Sequence, residues 1–172
     1  MKSLLLSLVA VFALATVSQA DVTVKISDVH LCCGKCVQGA DKAVGTVDGA
    51  KANIDKDART IEVTAPDAAT VQKVADALTK AGYFGTTTDS SIKIDASTGA
   101  KGAKVQTLTI KGVHLCCPKC VTAVHKAVTG VDGVTGETAT KGAESFTVTG
   151  DFNDADVFAA LQKIGLTGKV GE

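Results

Sequence analysis

A nine-residue stretch is written twice in this chain, as Val29-His30-Leu31-Cys32-Cys33-Gly34-Lys35-Cys36-Val37 and as Val113-His114-Leu115-Cys116-Cys117-Pro118-Lys119-Cys120-Val121. Shifting the sequence by 84 lays residues 29–49 on 113–133 with 14 of the 21 positions identical, ending in both copies on Val-Asp-Gly. The likeness continues more weakly: Val74, Leu78 and Gly82 meet Val157, Leu161 and Gly165 at a shift of 83. This is a tandem duplication of a unit of roughly 70 residues, within the size range of a small domain. All six cysteines lie in the two repeated stretches, so the chemistry of the chain is concentrated there.

The first 20 residues read as a secretory signal. Lys2 gives a positive start, Leu4 to Val17 is apolar except for Ser7 and Thr16, and Ser18-Gln19-Ala20 offers small residues at the positions a signal peptidase reads. Cleavage is expected before Asp21. The apolar run is shorter than the ~20 residues that span a bilayer, and no cysteine follows the cleavage point to carry a lipid. The mature chain, 21–172, is thus expected in the periplasm or secreted, with no membrane attachment after cleavage. Cysteines outside the cytoplasm tend to oxidise, so a thiol role there depends on a bound metal or a reductase. The mature chain carries 17 basic and 18 acidic residues, and no basic stripe or aromatic cluster breaks that balance. Nucleic acid is therefore not an expected partner. With no Trp and few aromatics, the cores are expected to be filled by Val, Ala, Leu and Ile.

Each unit alternates two hydrophobic periods. In the first, Val22, Val24 and Ile26 alternate with polar residues as in a half-buried strand, and Val37, Ala40, Val44 and Val47 follow at helical spacing. Short strands are expected at Ala50–Asp55 and around Ile61 and Val63, joined by a turn at 56–59. Pro66-Asp67 opens a second helix whose buried stripe is Val71, Val74, Ala75, Leu78 and Ala81, closed by Gly82. Tyr83 to Thr88 supplies the last strand, and Ser91–Ile94 reads as an extension. The second unit repeats the order. Val105, Leu108 and Ile110 begin it, Val121, Val124, Val128 and Val131 give a helix, and Phe146 and Val148 give a strand. Asn153 or Asp154 caps the last helix. The weakest element is the strand near Val134–Thr140, which is poor in apolar residues.

The expected fold class is α+β: two tandem ferredoxin-like βαββαβ domains, each a four-stranded antiparallel sheet covered on one face by two helices. The domains span 21–95 and 105–172. Residues 96–104 are small and polar and read as a flexible linker.

Cys33 and Cys36 form one C-x-x-C pair, and Cys117 and Cys120 another, each where the first strand gives way to the first helix. Free N–H groups and the positive dipole end at a helix start favour thiolate over thiol, and Lys35 and Lys119 add positive charge. Thiolates are the donors that soft metals select. Two sulfurs suit copper(I), which accepts low coordination, whereas zinc generally takes four ligands.

The C-x-x-C after a strand, the Val-rich helix, the Val47-Asp48-Gly49 ending and Lys80-Ala81-Gly82-Tyr83 together resemble the heavy-metal-associated domain. That family includes copper chaperones, modules of copper-transporting ATPases and the periplasmic mercury-binding protein. Its Met-x-Cys-x-x-Cys motif is met by Leu31-Cys32-Cys33-Gly34-Lys35-Cys36 and Leu115-Cys116-Cys117-Pro118-Lys119-Cys120, with Leu for Met. The resemblance implies that Cys33/Cys36 and Cys117/Cys120 are metal ligands, that copper(I) is the ion expected first, with zinc, cadmium or mercury as alternatives, and that a metal-transfer protein is a partner. Tyr83 matches an aromatic found near the metal loop in some bacterial members, while Leu166 stands at the equivalent place in unit two.

Cys32 and Cys116 fill the motif's variable position, either as third ligands or as bystanders. Two such units facing each other could share an ion or a small cluster. His30 and His114 are read as solvated strand-end caps, the alternative being further ligands. Two other readings of the cysteines stand beside metal binding. Structural disulfides suit an exported protein, but three thiols per unit leave one unpaired. A thiol–disulfide oxidoreductase would also use C-x-x-C at a helix start, but the surrounding pattern is not thioredoxin-like. The expected function is an exported, non-enzymatic soft-metal-ion binding protein.

Overall fold

The computed structural model describes residues 20–171. The expected signal segment, apart from Ala20, lies outside the described residues. Among the described residues, no helix is long and apolar enough to cross a membrane.

Unit one begins with β1 (Val22–Ile26), in which Val24 and Ile26 face inward. Helix α1 (Gly34–Val44) starts immediately after Cys33 and buries Cys36, Ala40, Ala43 and Val44, three and four residues apart. Strand β2 (Lys51–Asp55) turns back into β3 (Thr60–Ala65). The Asp55 carboxylate closes that turn by accepting the N–H groups of Asp57 and Ala58 at 2.8 and 2.9 Å. Helix α2 (Ala68–Lys80) is capped by the Asp67 carboxylate, which accepts the Thr70 N–H at 2.7 Å. Its buried Val71, Val74, Ala75 and Leu78 pack on Ile61, Val63 and Ala65 of the central strand.

The sheet of unit one has the order β1-β3-β2, antiparallel throughout. The fourth strand expected at Tyr83–Thr88 is reduced to a bridge in which Ser27 and Thr86 exchange backbone hydrogen bonds of 2.8 and 2.9 Å. The chain after Gly85 is polar and turns at once, with the Asp89 side chain accepting the Ser91 N–H. The expected extension at Ser91–Ile94 is not a strand. Gln72 of α2 bonds both the N–H and the C=O of Lys93 at 2.8 Å, taking the place of a ladder partner, while Ile92 is buried.

Unit two is the more regular copy. Strand β4 (Lys104–Lys111), helix α3 (Pro118–Thr129), β5 (Val134–Glu137), β6 (Ser145–Asn153), α4 (Asp154–Lys163) and β7 (Lys169–Val170) build a four-stranded antiparallel sheet, order β5-β6-β4-β7. Pro118 occupies the first turn of α3, where its missing N–H costs nothing. Asn153 is the cap of α4, accepting the Ala155 N–H at 2.9 Å. The apolar-poor strand does form, as β5. Gly133, just before β5, and Gly150, opposite Val134 on β6, let the two backbones pass close together. The architecture is the α+β tandem ferredoxin-like fold.

The 96–104 stretch, composed like a flexible linker, is fastened to unit two. The buried Asp154 carboxylate accepts the N–H groups of Lys101 and Ala103, each at 2.9 Å. Gln162 donates to the Ala96 carbonyl and the Val170 N–H to the Thr98 carbonyl. Small polar residues leave backbone groups free, and here folded neighbours satisfy them.

The units cross at their two equivalent glycines. Gly165, at φ +84°, lies against Asp28–His30, and its carbonyl accepts the His30 N–H at 3.1 Å and the Phe84 N–H at 3.0 Å. Gly82, at φ +87°, lies against Gly112–His114, and its carbonyl accepts the Thr167 N–H at 3.0 Å. Tyr83 and Leu166 form a bridge between them.

Candidate metal centre

This crossing brings the two cysteine loops face to face. Cys33 and Cys117 are the residues that precede α1 and α3, and both have extended backbone (φ −161° and −151°). Cys36 and Cys120 lie in the first turns and are fully buried, while Cys32, Cys33, Cys116 and Cys117 are partly exposed. The buried Leu31 and Leu115, in the Met position of the motif, pack in the core and anchor the loops.

All six sulfurs form one cage. Within unit one, Cys32–Cys36 and Cys33–Cys36 are 3.6 and 3.7 Å apart. Within unit two, Cys116–Cys120 and Cys117–Cys120 are 3.8 and 3.6 Å apart. Between units, Cys32 lies 3.7 Å from Cys117 and 3.6 Å from Cys120, and Cys33 lies 3.9 Å from Cys116 and 3.6 Å from Cys117. Cys36 lies 3.6 Å from Cys116 and 3.7 Å from Cys120. The adjacent pairs Cys32/Cys33 and Cys116/Cys117 fall within 4.8 Å. This connectivity is an octahedron of sulfur, with Cys32/Cys116, Cys33/Cys120 and Cys36/Cys117 as opposite corners. All six are free thiols, at separations well beyond the ~2.05 Å of a disulfide. The structure thus brings together every cysteine expected to bind metal, including Cys32 and Cys116, and joins the two expected pairs into one centre.

The cage is built to hold negative charge. The Cys120 thiol donates to Cys36, and with His114, Cys116 and Cys32 also at hand the Cys36 thiol is pushed down to about 2. Cys120, as the donor in that pair, is pushed up. Burial pushes Cys32 up to about 12 and raises Cys116 as well. Burial opposes ionisation of Cys117, yet the Cys120 N–H at the start of α3 and the surrounding thiols more than offset it, so this thiol falls to about 7. Negative charge in this arrangement falls first on Cys36, with the neighbouring thiols around it. Each further charge must be neutralised by a cation.

The histidines correct the reading of solvated caps, because both point at the cage. His30 Nδ1 lies 3.3 Å from the Ile164 carbonyl, an acceptor only, so Nδ1 carries the proton. Its Nε2 lone pair is buried, lacks a hydrogen-bond partner and lies within 4.8 Å of the Cys32 and Cys120 sulfurs. Burial lowers the pKa of this ring and keeps it neutral. His114 is held differently. Tyr83 Oη donates to the Cys36 carbonyl at 2.7 Å and so accepts from His114 Nε2 at 3.0 Å. Gly39 leaves the room for both rings, since a Cβ there would lie 2.8 Å from His114 Cε1. Leu166, the counterpart of Tyr83, offers no hydroxyl, which is why His30 Nε2 is left unpaired.

Three clefts reach the cage, one of them along His114, Leu115 and Cys116, and two others matter for access. One is lined by Cys33, Lys35, Gln38, Cys116, Cys117 and Lys141, the other by His30, Cys32, Arg59 and Lys163. Lys141 lies far from either motif, and nothing in the sequence pattern marks it.

No protein-family model matches the chain, and no curated protein sequence matches it. Among solved structures, the chain is similar to oxidized MerP from Ralstonia metallidurans CH34, with 32% identity over 41% of this chain and 100% of that one, at a TM-score of 0.36. It is also similar to the N-terminal soluble domains of Bacillus subtilis CopA, with 17% identity over 89% of this chain and 95% of that one, at a TM-score of 0.32. A second structure of the water-soluble region of that P-type ATPase gives 18% identity, 88% and 92% coverage and a TM-score of 0.30.

Proposed function

The chain belongs to the heavy-metal-associated family, resembling MerP, and from that premise we propose that it is an exported copper(I)-binding protein that buffers the ion and hands it to a partner protein. The convergence of six thiols from both units on one centre carries this reading. Sulfur-only donors select soft ions, and copper(I) tolerates the two- and three-sulfur environments the cage offers, where zinc prefers four ligands near 2.3 Å. Zinc, cadmium and mercury are the competitors by the same donor argument.

The proposed mechanism is ligand exchange, without catalysis. An incoming thiolate adds to the ion at the cleft where Cys33, Cys116 and Cys117 are partly exposed, and a cage sulfur then leaves. Lys35 and Lys141 at that cleft favour anionic carriers. Cys36 and Cys120, fully buried, hold the ion from below.

The test is a titration of the chain from Asp21 onward, reduced and anaerobic, with copper(I) and with zinc against a competing chelator while free thiols are counted. Retained copper with protected thiols is the expected result. Failure to compete, with rapid oxidation to defined disulfides, would favour the redox or disulfide-stabilised module instead. N-terminal sequencing of the exported protein tests the cleavage before Asp21.

A further inference from the structure

The cage holds six sulfurs where two separate carrier sites would need four. We propose that it binds a four-copper cluster, in which each copper(I) sits in an alternate triangular face of the sulfur octahedron and each sulfur bridges two ions. This rests on the copper reading above, but goes beyond one ion per C-x-x-C pair.

The faces are on hand. Cys32-Cys36-Cys120, Cys33-Cys36-Cys116, Cys32-Cys33-Cys117 and Cys116-Cys117-Cys120 are four triangles that meet only at corners, and together they use every sulfur twice. Ten of the twelve triangle edges run from 3.6 to 3.9 Å, and the two between adjacent cysteines, Cys32–Cys33 and Cys116–Cys117, lie within 4.8 Å. An ion at the centre of such a triangle lies about 2.2 Å from each sulfur, close to the ~2.3 Å of a zinc–thiolate bond and so a true bonding distance. A single ion at the middle of the cage would instead lie about 2.6 Å from all six, too long for a first-row thiolate bond. Three-sulfur faces suit copper(I) rather than zinc, and the His30 ring stands as an additional donor beside Cys32 and Cys120 alone. Size therefore favours several ions at the faces over one at the centre.

The proton and charge balance is simple. Four copper(I) ions bind six thiolates, of which Cys36 is already ionised, so loading displaces at most five thiol protons; no electron moves, and the cluster keeps a net charge of two negative. The N-termini of α1 and α3 point at that charge, and His114, Lys35 and Lys141 stand beside it. Cys32 and Cys116 are opposite corners, and each belongs to two faces. Losing both touches all four triangles, whereas a pair of independent C-x-x-C sites would not need them.

The experiment is copper(I) loading of the reduced chain under a competing chelator, read by metal analysis and copper-edge X-ray absorption. The expected result is four coppers per chain, three-coordinate by sulfur, with a copper–copper distance of about 2.5 Å, the spacing of alternate face centres in this octahedron. A Cys32→Ser/Cys116→Ser chain, checked for native circular dichroism, is expected to hold two coppers at most and to lose the copper–copper signal. Two two-coordinate coppers in the unaltered chain, without that signal, would overturn the cluster and leave copper buffering standing. Four coppers retained by the double variant would also overturn it. No copper retained by either chain would overturn both readings.

Discussion

Replacing Gly165 by Ala tests whether the sulfur cage depends on the crossing of the two units. Gly165 holds φ +84°, and an added Cβ would lie 2.5 Å from the His30 N and closer still to the Asp28 carbonyl oxygen. Both atoms are backbone, so neither can swing aside. A left-handed non-glycine residue costs about 1–2 kcal/mol, and losing the His30 N–H hydrogen bond to Gly165 adds about 0.5–1.5 kcal/mol. The expected loss is about 1.5–3.5 kcal/mol, concentrated at the contact between units. For a chain of this size about 1 kcal/mol moves the melting temperature by 2–4 °C, so reduced metal-free protein should melt about 3–14 °C lower by calorimetry. Gly34→Ala is the control, because nothing lies within 4 Å of its added Cβ. The variant should also lose copper capacity, since the faces shared between units come apart. A Gly165→Ala chain that melts within a degree of the unaltered one and binds as much copper would refute the argument that this crossing builds the cage.

Tyr83 is the sole tyrosine and the chain has no Trp, so its fluorescence reports directly on the centre. Metal loading should change that emission, and Tyr83→Phe should destabilise the metal-free fold by about 1–3 kcal/mol in urea, because the buried Cys36 carbonyl loses its donor; unchanged stability would count against that bond. Brief alkylation near pH 7.5 should label Cys117, whose thiol lies at about 7, ahead of Cys32, at about 12; peptide mass mapping with the reverse order would contradict the charge distribution drawn for the cage. Burial acts to raise the Asp154 pKa, but the N–H groups of Lys101 and Ala103 outweigh it and hold the carboxyl below its ordinary value. A depressed folded pKa gives stability that is complete above the unfolded value near 4 and is lost as pH falls through the folded value. Asp154→Asn should therefore flatten the acid limb of an unfolding profile, and an unchanged limb would show that this carboxylate does not anchor the 96–104 stretch.

Most of the secondary structure was legible because each unit switches plainly between period-two and helical patterns. Caps were legible as well: Asp67 and Asn153 do what short polar side chains do before a helix. The fourth strand of unit one was not, since after the Ser27–Thr86 bridge the polar chain turns away at Asp89, and in the extension at 91–94 the ladder partner is replaced by a helix side chain, Gln72. The ligand set was legible as residue types, down to the extra Cys32 and Cys116. Their union was not, because it depends on two positive-φ glycines, Gly82 and Gly165, each meeting backbone of the other unit, at Gly112–His114 and Asp28–His30. The histidines were misplaced for the same reason: His30 faces the other unit's Cys120 and His114 faces Cys36, neighbours that no local pattern reveals.

The duplication has a kinetic consequence. Two separate chains, each carrying one three-thiol loop, could complete a six-sulfur cage only by colliding, so half-built cages would dominate when the protein is scarce. Here both halves travel on one polypeptide and the second closes on the first at an effective concentration set by the connection. Cage formation becomes first order. Capacity then rises in proportion to the number of chains rather than its square, and dilution does not open what the fold has closed.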